Sequence, residues 1–176
     1  MRDLAFVVLA RILLFRFAEI LFLHHIAPVF HLYSFFFLLF KMNYWLVKSE
    51  PVKYSWETFQ KDGRAVWDGV RNYQARNNLQ AMKTDDRVLY YHSNEGKEIV
   101  GIARVVREAY PDPTADDPTW VVVDLVPEQK FARPVTLEQI KANDKLNQIA
   151  LIRQSRLSVM PIKPEEFDVI VGLGTE

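Results

Sequence analysis

The stretch RVLYYHSNEGKEIVGIARVV, residues 87–106, decides the fold. Its two halves, RVLYYHS (87–93) and IVGIARVV (99–106), are crowded with β-branched and aromatic side chains, the composition that suits a pleated, half-buried surface. Between them Asn94-Glu95-Gly96-Lys97 is short, polar and carries a glycine, which fits a hairpin loop. Two antiparallel strands are therefore expected in mid-chain. WVVVDLV (120–126) has the same composition and supplies a third strand. The intervening PDPTADDPT (111–119), with its prolines and aspartates, reads as an exposed, solvated loop.

On the N-terminal side, NYWLVK (43–48) reads as a first strand that ends before Pro51. Ser55 is placed to cap a helix over SWETFQKDG that stops at Gly63. AVW (65–67) is strand-like, Asp68-Gly69 is a turn, and Asn72 is an N-cap for a helix through Lys83. On that helix Ala75, Leu79 and Met82 fall at i, i+4 and i+7 and form one buried stripe, with Arg76, Gln80 and Lys83 beside it. On the C-terminal side, Thr136 with Gln139 makes a capping box for TLEQIKA. A further short helix is expected in KLNQIALIRQ, a strand in RLSVMPI (156–162), and a last helix, PEEFDVIVGL, closed by Gly172 or Gly174. Mixed strands with short helices between them predict an α+β fold with a curved or partly closed sheet.

The 176 residues carry 22 basic and 22 acidic side chains and no cysteine. No disulfide framework, thiol nucleophile or Cys-ligated zinc can be built. Residues 1–41 stand apart, because between Ile20 and Phe40 there is no Asp, Glu, Lys or Arg. The run is long enough for a membrane helix, but Pro28, His24, His25 and His31 interrupt it. It makes a poor signal peptide, lacking a small-x-small cleavage site. The expectation is a misassigned start or non-native extension, with Met42 as the working beginning of the domain. A membrane anchor is the alternative. Residues 1–41 hold four basic residues (Arg2, Arg11, Arg16, Lys41) and two acidic ones (Asp3, Glu19), which leaves 18 against 20 in residues 42–176. Near neutrality excludes nucleic-acid binding by bulk attraction, whose strength scales with phosphates neutralised. A local patch or pocket would have to do it.

Catalytic hardware is sparse. His92 is the single histidine of 42–176, and its neighbour Ser93 points to the opposite face of a strand, so the two make a poor nucleophile–base pair. No metal-ligand spacing, GxxxxGK[ST] loop or GxGxxG is present. Binding groups are plentiful instead. In WDGVRNYQARN (67–77), Trp67 precedes a tight turn, and Arg71 and Arg76 stand among Asn72, Gln74 and Asn77. Amides offer a donor and an acceptor together, and guanidinium groups fork onto phosphate or stack on a base. Arg153, Gln154 and Arg156 repeat that chemistry, and Lys48-Ser49-Glu50 ends the first strand with three polar side chains.

Four segments, YWLVKSEP (44–51), WDGVRNYQARN (67–77), YYHSNEGKEIVGIARVVREAYPD (90–112) and RQSRLSVMPI (153–162), together resemble the EVE domain, over essentially all of 43–174. The resemblance implies a PUA-like fold, a small curved or partly closed mixed β-barrel flanked by short helices. It implies a non-catalytic reader of modified bases in DNA or RNA, modified cytosine favoured, that takes a flipped or unstacked base into an aromatic pocket. Carried onto this chain, the pocket would draw on Lys48 and Ser49, on Trp67, Asp68, Gly69, Val70, Arg71 and Asn72, and on Tyr91, His92 and Ser93. Arg76, Arg153, Gln154 and Arg156 would lie close by. No cofactor is expected. The expected partner is nucleic acid carrying a modified base, with nuclease or other effector proteins beyond it, and the chain is expected to be monomeric. A cytoplasmic, bacterial-type member is expected, nuclear if eukaryotic, because the 113–119 loop is compact. Lys83-Thr84-Asp85-Asp86 departs from the glycine that relatives often place in that turn, and Asp85 is expected to take the left-handed conformation in its stead. The alternatives are a glycosylase- or nuclease-like enzyme with Glu50 or Asp68 as base, and a protein-interaction module.

Overall fold

A computed structural model of the chain describes residues 42–175. The expectations for residues 1–41 lie outside the described residues. Among the described residues six strands form one mixed sheet in the order β2-β5-β4-β3-β1-β6. They are β1 (Tyr44–Ser49), β2 (Ala65–Val66), β3 (Arg87–His92), β4 (Glu98–Pro111), β5 (Val121–Thr136) and β6 (Val159–Ile162). β1 and β3 are parallel, paired from Tyr44 with Arg87 to Ser49 with His92, and every other pairing is antiparallel. The sheet is curved and does not close. Four register shifts between β4 and β5 supply the bend, because each extra residue kinks its strand and adds twist.

Among the described residues five helices flank the sheet: α1 (Trp56–Asp62), α2 (Tyr73–Ala81), α3 (Leu137–Ala142), α4 (Ala150–Arg153) and α5 (Pro164–Thr175). The expected caps are present. The Ser55 hydroxyl accepts from the Thr58 amide and Gly63 turns left-handed after α1. The Asn72 side chain accepts from the Ala75 amide, and Thr136 and Gln139 close a capping box. Ala75 and Leu79 are fully buried, as their spacing predicts, and Met82 is fully buried from the cap position just beyond the helix.

Several boundaries differ from expectation. β4 and β5 run on well past their apolar stretches, since a strand needs ladder partners more than hydrophobic side chains, and each supplies the other's. α2 stops at Ala81, where Met82 takes extended angles and the Asp86 carboxylate accepts from the Lys83 amide. α4 keeps one turn only, because Leu146, Ile149 and Ile152 donate three residues back instead of four, the tighter 3₁₀ pattern. α5 runs through Gly172 and Gly174. A side chain at Gly174 would collide with the Phe131 ring, so that glycine serves close packing on β5. Asp85 takes the left-handed conformation (φ 71°) expected of it.

The core is unusually aromatic around β3. Trp56 and Tyr90 meet edge-to-face at 5.3 Å, Phe59 stacks on Tyr90 at 5.4 Å, and Trp67 abuts Tyr90 edge-on at 5.5 Å. Such pairs contribute roughly 0.5–1.5 kcal/mol each beyond area burial. A Cβ at Gly101, the residue opposite Tyr90, would lie 2.7 Å from the Trp56 ring and 2.5 Å from the Gln129 carbonyl. Only glycine lets β4 pass that close.

Candidate functional site

A cleft of about 790 Å³ opens at the end of β1, between the β2–α2 segment and the segment that leads into β6. Its volume lies in the range, roughly 300–1,000 Å³, typical of ligand sites. One side is the run Trp67-Asp68-Gly69-Val70-Arg71. Local chemistry aims that run. The Trp67 amide donates to the Val123 carbonyl at 2.8 Å and the Asp68 amide to that of Val66 at 3.0 Å. Gly69 then takes a positive φ of 69°, a conformation that would strain any residue with a Cβ. The turn leaves the Asp68 side chain open to solvent while Trp67 keeps its ring mostly in the core, 8% exposed.

The opposite side starts at Lys48 and Ser49. The Ser49 hydroxyl donates to the Tyr54 carbonyl at 2.7 Å, and the Tyr90 hydroxyl donates to the same oxygen at 2.9 Å. The turn after β1 is thereby pinned to the aromatic core, and burial pushes the Tyr90 phenol up to about 12. The Lys48 ammonium donates to the Ser155 carbonyl at 2.9 Å, and burial pulls its pKa below the ordinary lysine value. Ser93 joins this wall through its amide and hydroxyl, both donating to the Ser49 carbonyl. Arg156 completes it from the segment before β6, and makes no ion pair or hydrogen bond among the described residues.

The cleft therefore brings together Lys48, Ser49, Trp67, Asp68, Gly69, Val70, Arg71, Ser93 and Arg156. Six other candidates lie off its lining. Asn72 has its side-chain oxygen committed to the α2 cap. Tyr91 is 4% exposed and packs under Lys48, whose ammonium lies 6.0 Å from its ring. His92 turns inward, and its Nε2 accepts from the Trp56 amide at 3.1 Å. That acceptor role requires the neutral ring, and burial lowers the His92 pKa accordingly. Arg153 is exposed on α4, and Gln154 accepts from the Gln74 amide at 3.0 Å, tying α2 to the β6 approach. Arg76 stands over the Tyr73 ring, 5.0 Å from its centroid.

Other residues that sequence reasoning did not single out also line the cleft. Tyr54 and Asp62 bracket α1, the Tyr54 hydroxyl donating to the Asp62 carboxylate at 3.0 Å. Arg64 lines it while pairing with the buried Asp124, whose other oxygen accepts from Tyr110 at 2.7 Å. Lys53 is on its edge as well, paired at 3.0 Å with Glu50, the base candidate of the enzyme alternative. The signal for Arg64 and Asp62 was weak, because both precede a two-residue strand that pairs with β5 and meets the end of β1 only across the cleft. Counting charges on the lining, five cations (Lys48, Lys53, Arg64, Arg71, Arg156) face three carboxylates (Glu50, Asp62, Asp68). The local surplus is positive although the domain is not. Among the described residues no cluster of three His, Asp or Glu could hold a metal, and no helix is long and apolar enough to cross a membrane.

The curved, open mixed sheet with short flanking helices is the α+β architecture of PUA-like domains, the fold shared with the structural neighbours below. The chain belongs to the EVE domain family, whose model matches residues 43–173. Thymocyte nuclear protein 1 of Mus musculus is 39% identical, over 74% of this chain and 73% of its own length. A crystal structure of an Agrobacterium tumefaciens protein is 47% identical, with a TM-score of 0.74, over 75% of this chain and 92% of the other. The human THYN1 protein, solved in complex with DNA containing 5-methylcytosine, is 34% identical, with a TM-score of 0.71, over 76% of this chain and 98% of that one.

Proposed function

We propose that the chain binds DNA or RNA and reads a modified base, modified cytosine foremost, by taking one flipped or unstacked base into the cleft without chemical change. The observation that carries this reading is the cleft itself: a recess with room for a base, with Trp67 in its wall and a surplus of cations on its lining. The human relative solved with 5-methylcytosine-containing DNA supports the same ligand class. Extruding a base costs a few kcal/mol, offset by stacking of roughly 1–3 kcal/mol and by contacts to the base edge. Trp67 supplies the apolar wall, and Ser49 and Asp68 face the base edge. A carboxylate there accepts from the exocyclic amine of cytosine. Lys48, Arg71 and Arg156 meet phosphate. An effector protein, a nuclease among them, would act on what the domain has marked.

Glu50 and Asp68 both line the cleft, and that placement keeps a second reading, hydrolysis at the bound base with a carboxylate as general base. The binder is favoured because Glu50 is engaged by Lys53 and His92 is consumed by the Trp56 amide. Titrating the full chain with matched oligonucleotides carrying plain or modified cytosine and adenine tests the reading. Tighter binding of a modified base with the oligonucleotide recovered intact supports it, and a cleaved product supports the enzyme.

A further inference from the structure

Beside the cleft lies an aromatic cluster that the core does not consume. Tyr73 and Trp120 stack with ring centroids 5.2 Å apart and planes 28° apart. The Arg76 guanidinium sits 5.0 Å from the Tyr73 ring and 5.9 Å from that of Trp120, and the Arg71 guanidinium sits 5.7 Å from Trp120. Tyr73 is 66% exposed, and its hydroxyl has no partner among the described residues. It opens α2 directly after the Asn72 cap, away from the buried stripe of Ala75 and Leu79. Neither the helix nor the core requires an open ring there. Arg76 makes no ion pair among the described residues. Its Nε and Nη2 donate to Asn77, while Asp117 accepts from the Thr119 amide.

We propose that Tyr73, backed by Trp120 and flanked by Arg76, is a stacking platform for the unpaired nucleobase next to the one in the cleft. The inference rests on the cleft reading and adds a second subsite to it. Arg71 links the two, since it lines the cleft and also faces the Trp120 ring. A base stacks on any exposed aromatic face regardless of sequence, and neighbouring guanidinium groups add cation–π attraction and reach phosphate. The consequence is a preference for strands whose flanking base is already free of a partner: single strands, mismatches or ends.

The test uses the full chain and single-stranded DNA with a central 5-methylcytosine, the flanking positions carrying either natural bases or abasic sites. Removing the flanking bases should weaken wild-type binding roughly 5- to 150-fold. Tyr73→Ala and Tyr73→Leu should lose a similar factor on the intact strand and nothing more on the abasic one. Tyr73→Phe should bind like wild type. The ratio of affinities for 5-methylcytosine and cytosine should stay at the wild-type value, since the platform does not touch the modification. Wild-type affinity of both ring-less variants for the intact strand, or an equal loss on the abasic strand, overturns the platform alone. Equal wild-type affinity for modified and plain cytosine overturns the cleft reading and the platform with it.

Discussion

Arg71 Nη1 donates to the Asp112 carboxylate at 2.8 Å, which ties the edge of the cleft to the loop after β4. Asp112 is almost wholly buried, and it also accepts from the Thr114 amide at 2.8 Å and the Thr114 hydroxyl at 2.6 Å. Burial alone would raise its pKa, but the Thr114 bonds and Arg71 outweigh that and hold the carboxyl below its usual range. A depressed folded pKa stabilises the fold above the unfolded value, near 4, and that stability is lost as pH falls through the folded one. Asp112→Asn should therefore lower the denaturant midpoint at pH 7 and show a shallower acid loss below about pH 4 than wild type. It should also weaken oligonucleotide binding by freeing Arg71.

His92 carries a second pH dependence of the same sign. Burial lowers its pKa, so the unfolded chain takes up the proton first as pH falls below about 6.5, and stability declines from there through the folded pKa. Its Nε2 accepts from the Trp56 amide at the start of α1. His92→Phe should remove the pH 5–7 slope in the unfolding midpoint. It should also cost about 1–3 kcal/mol at pH 7, because a buried amide loses its partner. Base binding should survive at wild-type strength in folded protein, as the ring faces the core.

Asp86 is the hub of the β1–β3 junction. Its carboxylate accepts from the Asn43 amide at 2.9 Å, the Trp45 indole at 2.8 Å and the Lys83 amide at 2.9 Å, at 2% exposure. Asp86→Ala should destabilise the protein by about 3 kcal/mol, since several donors lose their acceptor at once. Chemical denaturation reads this directly.

Among the described residues Arg156 has no side-chain partner to leave behind. Arg156→Ala should weaken modified and unmodified strands by the same factor and reduce the slope of affinity against salt by about one counterion. Thermal stability should be unchanged.

The order of elements was legible because local rules wrote it. Ser55, Asn72 and Thr136 cap helices, and Gly63, Gly69 and Asp85 take left-handed angles, each a choice made within four residues. The lengths of β4 and β5 were not legible, since their outer halves are held by each other's backbone across register shifts. The site divides along the same line. Trp67 through Arg71 announced itself as one contiguous run of unusual composition. Tyr54 enters the cleft through the Ser49 hydroxyl that donates to its carbonyl, and Arg64 and Asp62 through the chain that leads from α1 into the β2–β5 pair. PDPTADDPT read as a solvated spacer, yet Asp112 anchors Arg71 and the adjoining Trp120 carries Tyr73. Neither contact has a signature in sequence, because the partners lie more than forty residues apart.

Selective capture of a modified base at the Trp67 wall can be measured directly. The direct measurement is the affinity of the full chain for one strand carrying 5-methylcytosine and for its cytosine twin, repeated with Trp67→Ala. The methylated strand should bind tighter by about 1–3 kcal/mol, the scale of a methyl-sized group in an apolar site, and folded Trp67→Ala should lose that preference. Equal affinity of the wild-type chain for the two strands, or a preference that persists without the tryptophan, would contradict it.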